Sequence, residues 1–318
     1  MITRETHSLH LKSSLPGVFA FAGLRLACVA ALLAVSAAAP HAQTLPIAQE
    51  NPAKPATLAQ ATRVFLGPDG IPLPFQSDEE VLEFLRTAKV IQMRDIGRGV
   101  TRPRWALLEK DGIRLYAKFS DFEQEKDVAK FADGGREMFF RDSCLFEVAA
   151  YELGRLLGLD NLPPAVVRRV HGTTGSMQIR IEKTMDEKER MRIKLRPPDP
   201  LRWNRQRQVM RVFDNLIYNT DRTLENFLID AEWKIWLIDH SRAFRRHNEL
   251  RNPDDVVSCE RGLYQKLQEL DPEEVKRRLR HVLRSYEIEG LLKRREKLVA
   301  HIRQLIAEKG EDKVLFTW

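Results

Sequence analysis

Alternating apolar and polar positions between residues 89 and 119 predict three short strands. These are Lys89 to Ile96, Trp105 to Glu109 and Ile113 to Phe119. The second and third are separated by Lys110-Asp-Gly112, which favours a tight hairpin turn because glycine adopts the positive backbone angles that such turns need. Two consecutive hairpins of this kind predict a small antiparallel sheet.

The spacing of apolar residues changes after residue 140. From Arg141 to Leu157 they recur every three or four positions, which predicts a helix, and Gly158 is the expected stop. Two further strands are predicted at Ala165 to Val170 and Ser176 to Glu182. The segment from residue 89 to 182 is therefore expected to contain three strands, a helix and two more strands.

The carboxy-terminal half is mainly helical by the same criterion. A helix is predicted from Arg205 to Tyr218, and two amphipathic helices are predicted at about residues 272–285 and 288–309. Between them, Phe227 to Ile238 contains two apolar runs separated by a polar turn, which predicts a hairpin.

Two segments precede the predicted fold. Residues 1–42 combine basic residues, an apolar run from Leu26 to Ala38 and small residues after it, the composition of a cleaved export signal. The run is short for a membrane span, so an uncleaved anchor is the alternative. Residues 43–75 are rich in Pro, Ala and Gln and are expected to be a flexible linker. A capping box at Ser77 then predicts a short helix.

Length and composition are those of a folded protein with one large domain or two lobes. The chain has 318 residues, of which 43% are hydrophobic and 31% charged. We expect a small antiparallel-sheet lobe at residues 76–184 and a mostly helical lobe at residues 185–318. The predicted fold class is therefore α+β.

Charge and cysteine content limit the classes of partner. The net charge of +7 favours acidic partners such as nucleotides, but basic and acidic residues are interspersed, so we expect no nucleic-acid binding. If residues 1–42 are removed, Cys144 and Cys259 remain, and we expect two unpaired thiols because they belong to different predicted lobes. Membrane association is expected only through an uncleaved amino-terminal signal.

The densest group of candidate catalytic residues lies between Asp221 and Asp239. Asn226 follows Asp221 by five positions, and Asp239 follows Asn226 by thirteen, directly after an apolar run. This is the layout of a phosphotransfer loop, in which Asp221 faces the acceptor hydroxyl and Asn226 and Asp239 supply oxygen ligands for Mg²⁺. Each residue alone is equally compatible with a surface turn, so the interpretation depends on the combined spacing.

Lys118 and Glu147 are candidates for binding and orienting the phosphates. An ammonium at the end of the third strand would contact the α- and β-phosphates of ATP. Glu147 lies in an apolar helical segment, where a carboxylate is costly unless it is paired, so we predict a Lys118–Glu147 ion pair. The alternatives are an exposed strand lysine and a partly exposed glutamate. Glu152 is the rival on the same helix, but it points about 140° away.

Gly97 and Gly99 are candidates for a loop over the nucleotide phosphates. Glycine lets backbone N–H groups approach such a ligand closely. The motif lacks a third glycine, and an ordinary hairpin loop would have the same sequence.

Several strings resemble those of the atypical kinases. Asn219-Thr-Asp221-Arg222-x-x-x-Asn226 and Ile238-Asp239-x-x-x-Ala-Phe244 resemble the type II phosphatidylinositol 4-kinases, the Golgi casein-kinase type of secretory kinases and the HipA-type kinases. The segment from Glu147 to Pro164 resembles the glutamate-bearing helix and following strand of the Golgi type. The resemblance covers about residues 90–250 and implies a two-lobed protein-kinase-like fold.

The resemblance also implies roles for individual residues. Lys118 and Glu147 would form the ion pair that bridges the lobes, and Asp221 would be the catalytic acid or base. The metal ligands would be Asn226 and Asp239. The segment from Gln178 to Thr184, which includes Glu182, would be the hinge that meets adenine.

Some positions depart from the pattern of ordinary protein kinases. His240-Ser241 replaces Phe-Gly after the metal aspartate, and Thr220 replaces the residues that usually precede the catalytic aspartate. No Ala-Pro-Glu string follows. These departures fit the atypical branch and leave the acceptor open.

The leading hypothesis is an ATP- and Mg²⁺-dependent phosphotransferase acting on a protein or lipid hydroxyl. The alternative is an exported pseudokinase or nucleotide-binding scaffold, since ATP is scarce outside the cytoplasm. A structural envelope protein is a third possibility. We expect a periplasmic or secreted protein, with a membrane-anchored form as the alternative.

Overall fold

A computed structural model of the protein describes residues 63–97, 102–130 and 135–318. The predicted export signal, the first twenty residues of the predicted linker and Gly99 lie outside the described residues. Within the described ranges, no helix is both long enough and apolar enough to cross a bilayer.

A five-stranded antiparallel sheet forms the amino-terminal part of the fold. The strands are β1 (Lys89–Asp95), β2 (Arg104–Lys110), β3 (Ile113–Ser120), β6 (Ala165–Val170) and β7 (Thr173–Ile179), in the spatial order β1-β2-β3-β7-β6. Alternate residues of β3 (Leu115, Ala117 and Phe119) are buried, as expected for a strand that contributes one face to the core. The five strands predicted from residues 89 to 182 are present.

Helix α1 (Asp78–Thr87) precedes the sheet. Half of its predicted capping box is present, because the Ser77 hydroxyl accepts from the Glu80 N–H; the Glu80 carboxylate accepts from the Gln76 N–H and not from the Ser77 N–H that a capping box requires. Residues 63–75, expected to end the flexible linker, are instead packed onto the fold. Phe65 is buried 6.1 Å from the Trp236 ring, so ordered structure begins earlier than composition indicated.

A second hairpin, which the sequence analysis missed, lies between β3 and helix α2 (Phe146–Leu156). It consists of β4 (Glu123–Lys130) and β5 (Arg136–Ser143). The helix predicted from residue 141 therefore begins at Phe146, because Arg141 and its neighbours belong to β5. The sequence of β4, Glu-Gln-Glu-Lys-Asp-Val-Ala-Lys, is nearly all polar and lacks the alternation that predicts a strand.

The remaining part is mostly helical. Its helices are α3 (Glu187–Arg192), α4 (Pro200–Ile217), α5 (Arg261–Glu269), α6 (Pro272–Leu279), α7 (Ser285–Lys309) and α8 (Glu311–Val314). Its strands are β8 (Met185–Asp186), β9 (Phe227–Ile229), β10 (Ile235–Leu237), β11 (Cys259–Glu260) and β12 (Leu315–Phe316). Strands β10, β9 and β8 form a small sheet, and β11 pairs with β12. The architecture is α+β, as predicted, although helices α3, α5 and α8 were not predicted.

Helices α4 and α7 form the centre of this helical part. The fully buried Arg294 of α7 donates hydrogen bonds to the carbonyls of Leu216 (2.8 Å), Arg245 (2.7 Å) and His247. A buried guanidinium is costly without partners, and here carbonyl oxygens at the end of α4 and in the segment after Asp239 fill that role. Helix α7 thereby fixes both segments. Cys144 and Cys259 are buried free thiols, in agreement with the prediction.

Candidate active site

The predicted catalytic loop begins where α4 ends. Tyr218 closes the helix in a left-handed conformation, with a φ of 52°. The Asn219 side chain then accepts from the Asp221 N–H (3.0 Å) and donates to the Asp214 carboxylate (2.9 Å). These bonds fix the backbone of Asp221, whose side chain remains 34% exposed.

Asn226 closes the other end of this loop, directly before β9. Its side-chain N–H donates to the Asp221 carbonyl (2.6 Å), so its amide oxygen is left as an acceptor. The Asn226 carbonyl in turn accepts from the Ile238 N–H (3.4 Å). The structure therefore brings Asp221 and Asn226 together and joins them to the strand that leads into Asp239.

Arg222 connects the same two segments through its side chain. Its guanidinium pairs with Asp214 (2.9 Å) and donates to the carbonyls of Ile238 (2.8 Å) and Asn226. It also lies 3.1 Å from the Nε2 atom of His240. These acceptors offset the desolvation penalty of a guanidinium that is nearly buried. Arg222 therefore holds the Asp221 loop against the Asp239 loop.

Lys118 and Glu147 are in contact, with 3.3 Å between Nζ and Oε1. Lys118 is 18% exposed and Glu147 only 2% exposed. Gln178, which lies opposite Lys118 on β7, donates to Glu147 Oε2 (3.1 Å). The rival candidate Glu152 pairs instead with Arg278 (3.0 Å).

The two charges stabilise each other against burial. Burial alone would raise the pKa of Glu147, but the Lys118 charge and the hydrogen bonds from His240 outweigh it and hold that pKa well below its usual range. Burial alone would lower the pKa of Lys118, but Glu147 and Asp239 outweigh it and raise that pKa.

His240 joins Glu147 to the Asp239 loop. The Glu147 carboxylate accepts from the His240 backbone N–H and from its ring Nδ1, each at 3.0 Å. Arginine has only donors, so the contact between Arg222 and Nε2 makes Nε2 an acceptor and places the ring proton on Nδ1. His240 is fully buried. The sequence analysis noted it only as a departure from Phe-Gly, whereas the structure shows it linking helix α2 to the loop.

Asp239 precedes His240 in a left-handed conformation with a φ of 60°. Among the described residues, no side chain or backbone donor hydrogen-bonds to its carboxylate, and no three His, Cys, Asp or Glu side chains form a metal cluster. The available ligands are thus the Asp239 carboxylate and the Asn226 amide oxygen. Hard oxygen donors, few in number, suit Mg²⁺ or Mn²⁺ that completes its shell with phosphate oxygens and water. The residues present fit such an ion.

Two charged residues that sequence reasoning missed lie beside Asp221. Arg242 is 3.6 Å from Asp221 Oδ2 through NH1 and 2.9 Å from Asp142 Oδ2 through Nε. Burial raises the pKa of Asp221; Arg242 opposes this rise, and Asp239 and Asp142 add to it. Asp142 lies on the unpredicted strand β5. Arg242 occupies an unspecified position of the Asp239-x-x-x-Ala-Phe244 string, so the sequence did not single it out.

The remaining predicted binding residues lie beside the sheet. Gly97 follows β1 with a φ of 70°, a conformation that favours glycine. Glu182 lies between β7 and β8, 3.4 Å from Arg180, and burial raises its pKa although Arg180 opposes the rise. Its Oε1 atom is buried without a hydrogen-bond partner among the described residues.

A cavity of about 450 Å³ lies elsewhere, between α4 and the β12 region. Arg205, Arg207 and Arg211 line part of it. None of the predicted site residues lines this cavity, so it does not bear on the candidate active site.

Comparisons with known proteins identify the fold. A structure of hydra Fam20 with sugar is similar at a TM-score of 0.56 and 16% sequence identity, over 76% of this chain and 94% of that chain. Two structures of the Golgi casein kinase, one with Mn/ADP bound, are similar at a TM-score of 0.53. Their identities are 16% and 17%, over 75% of this chain and 77% and 78% of theirs. No protein-family model and no curated protein matches the chain.

At these identities the similarity is one of fold. The chain has an atypical protein-kinase-like fold, and the resemblance to the Golgi casein-kinase type that its motifs indicated is confirmed at that level.

Proposed function

We propose that the chain is a phosphotransferase that uses ATP and a divalent cation to phosphorylate a hydroxyl group of a protein or lipid. The observation that carries this proposal is the contact of Glu147 with both Lys118 and His240. Kinase chemistry requires the strand lysine, the helix glutamate and the metal-binding aspartate to be in place together. Here the buried Glu147 carboxylate contacts Lys118 and also contacts His240, the residue after Asp239.

In this proposal the nucleotide lies between two lobes, residues 76–184 and 185–318. Lys118 binds the α- and β-phosphates, and the loop with Gly97 and Gly99 covers them. The segment from Gln178 to Thr184 meets adenine, and Glu182 is its candidate contact. The Golgi casein kinase with Mn/ADP bound supports nucleotide and metal binding by this fold.

Asn226 and Asp239 would hold Mg²⁺ or Mn²⁺. When bound, the cation neutralises charge on the phosphates. The protein positions its two ligands through backbone contacts, since Asn226 is tied to Ile238 and Asp239 is followed by the anchored His240. Lys118, which interacts with Asp239 and Glu147, adds a fixed positive charge beside the same phosphates.

Asp221 is the catalytic acid or base in this proposal. Its backbone is fixed by Asn219 and Asn226, and its partly exposed carboxylate would accept the proton of an acceptor hydroxyl. Holding the acceptor oxygen in line with the phosphate supplies much of the rate in phosphoryl transfer.

Nucleotide binding and transfer test the function. We expect ADP with Mn²⁺ or Mg²⁺ to raise the melting temperature of the purified chain, and Asp239→Asn to abolish the rise. We expect transfer from radiolabelled ATP to the chain itself or to candidate proteins, lipids and sugars, and Asp221→Asn to abolish it. Sugars are included because the hydra Fam20 structure contains one. Binding without transfer or ATP turnover would identify a pseudokinase, and no binding would refute both proposals.

We also propose that residues 1–42 direct export to the periplasm or outside the cell. The name of the similar Golgi casein kinase, which places that kinase in the secretory pathway, offers weak support. Amino-terminal sequencing of the mature protein and cell fractionation test this. An intact Met1 in a cytosolic fraction would refute it, and an intact terminus in the membrane fraction would indicate an uncleaved anchor.

A further inference from the structure

Arg242 is held beside Asp221 by its own backbone. The Arg242 carbonyl accepts from both the N–H (3.3 Å) and the hydroxyl (2.8 Å) of Thr220, the residue before Asp221. The Arg242 backbone is therefore hydrogen-bonded to Thr220 without any contribution from the Arg242 side chain. That side chain is 41% exposed, so it is not needed to fill the core.

The direction of the guanidinium is set by Asp142. This carboxylate is 2% exposed, and Arg242 is the one cationic group within ion-pair distance of it among the described residues. Strand β5 brings it there, because the Ser143 N–H donates to the Ser241 carbonyl (3.0 Å). A buried carboxylate requires compensation, so Asp142 binds Nε firmly and leaves the NH1 side of the guanidinium facing Asp221.

Among the described residues, one oxygen of the Asp221 carboxylate has an ion-pair partner. NH1 of Arg242 is 3.6 Å from Oδ2, and no side chain among the described residues pairs with Oδ1. A carboxylate on a loop otherwise rotates about its side-chain bonds, and an ion pair on one oxygen restricts that rotation. The other oxygen is then presented to an incoming group.

We propose that Asp142 and Arg242 form a positioning pair that orients Asp221 toward the acceptor hydroxyl. Asp142 fixes Arg242, and Arg242 fixes Asp221. The inference rests on the proposed function, because it assigns a purpose to the pair only if Asp221 acts on an acceptor. If the inference is correct, Asp142 of the β4–β5 hairpin and Arg242 both influence the rate of transfer.

The test compares turnover with nucleotide binding. We expect Arg242→Ala to lower kcat for ATP turnover by on the order of 100-fold, the scale of a misplaced catalytic group, with the Kd for Mn·ADP within about twofold of wild type. Arg242→Lys should recover part of the loss. Arg246→Ala is the matched control, since Arg246 is an exposed arginine of the same segment that contacts the rings of Phe139 and Tyr286.

A double-mutant cycle tests the role of Asp142. Asp142→Asn should lower kcat, and adding it to Arg242→Ala should cause little further loss, because the two residues act in series. Three results would each refute the proposed positioning role. They are Arg242→Ala turnover within twofold of wild type, a parallel loss of Mn·ADP binding, and additive effects of the two substitutions. If Asp142→Asn does not fold, the Arg242 variants decide alone. A wild-type chain without turnover would instead refute the proposed function, and the inference with it.

Discussion

Glu147 accepts two hydrogen bonds from His240, a residue 93 positions further along the chain. Its Oε1 atom takes the backbone N–H, its Oε2 atom takes the ring N–H, and the same carboxylate carries the ion pair with Lys118. Helix α2, strand β3 and the loop after β10 are therefore connected through one side chain. A change at this carboxylate should affect stability and chemistry together.

Replacing Glu147 by Gln should lower the free energy of unfolding by about 3 kcal/mol, because the largely buried Lys118 loses the counter-charge that it contacts directly. Transfer from ATP should be lost as well. Chemical denaturation measures the first effect and a radiolabel assay the second. Glu152→Gln is the control on the same helix, since its partner Arg278 is partly exposed and the expected cost is about 1 kcal/mol. Equal losses in the two variants would contradict the assignment.

The pH dependence of that stabilisation has a definite sign. Burial would raise the pKa of Glu147, but Lys118 and His240 lower it below its usual range. A depressed carboxyl pKa stabilises the fold above the unfolded pKa, about 4.3, and this contribution disappears as the pH falls through the folded pKa. The stability difference between wild type and Glu147→Gln should thus be constant from about pH 5 to 7 and shrink below about pH 4. A difference that grows on acidification would be inconsistent with the ion pair.

Two substitutions of Asp239 distinguish the role of its carboxylate from the effect of its left-handed backbone conformation. Asn tolerates the left-handed region, so Asp239→Asn should leave stability within about 0.5 kcal/mol of wild type while removing metal-dependent ADP binding. Asp239→Ala should lose the same binding and about 1 kcal/mol more stability, because alanine adopts the left-handed region at a φ of 60° less readily than aspartate or asparagine does. Calorimetric titration with Mn·ADP and denaturation curves measure the two effects. Undiminished binding in the Asn variant would exclude Asp239 as a metal ligand.

Arg222 should not be replaceable by lysine. An ammonium is a compact point charge and does not reach Asp214, the Ile238 carbonyl and His240 at once, as the guanidinium does. We expect Arg222→Lys to lose about 2 kcal/mol of stability and on the order of 100-fold in turnover. Arg211→Lys is the comparison, since within the described part of the chain the Arg211 side chain makes one hydrogen bond, 3.4 Å to the Asp255 carbonyl. Similar behaviour of the two variants would argue against a linking role.

The two described cysteines should be inert in the folded protein. Burial raises the pKa of Cys144 to about 11 and that of Cys259 further. A raised thiol pKa means that folding is favoured below the unfolded pKa, about 8.5, and weakened as the pH rises above it. In a Cys28→Ser background, a thiol reagent at pH 8 should label no cysteine in the native state and both in guanidinium. Labelling of either before unfolding would show that its site opens.

The contacts predicted best were those with a local cause. The Lys118–Glu147 pair followed from a carboxylate in an apolar helix, which requires a partner, and from a lysine at a strand end. The loop spacing placed Asn226 and Asp221 in one candidate site, and in the structure the Asn226 side chain contacts the Asp221 carbonyl (2.6 Å). In both cases the sequence within a few residues of each side chain was enough to indicate its role.

The unpredicted parts depend on partners distant in sequence. Strand β4 is nearly all polar, and its pairing with β5 is stabilised by contacts such as Arg141 with Glu287 (3.0 Å), 146 residues away. Because β5 was not predicted, Asp142 was not placed beside Arg242. The role of His240 was hidden for the same reason, since a histidine in a turn indicates nothing until the Glu147 carboxylate is brought against it.

Helix α7, close to the carboxy terminus, anchors segments that are synthesised much earlier. Its Glu287 binds Arg141 ahead of helix α2, and its Arg294 holds the carbonyls of Leu216 and Arg245 on either side of the candidate site. A chain made from its amino terminus carries Glu147 and Asp239 long before these anchors emerge. We therefore expect a chain that ends before α7 to leave these segments without their anchors and, if the proposed function holds, to bind no nucleotide.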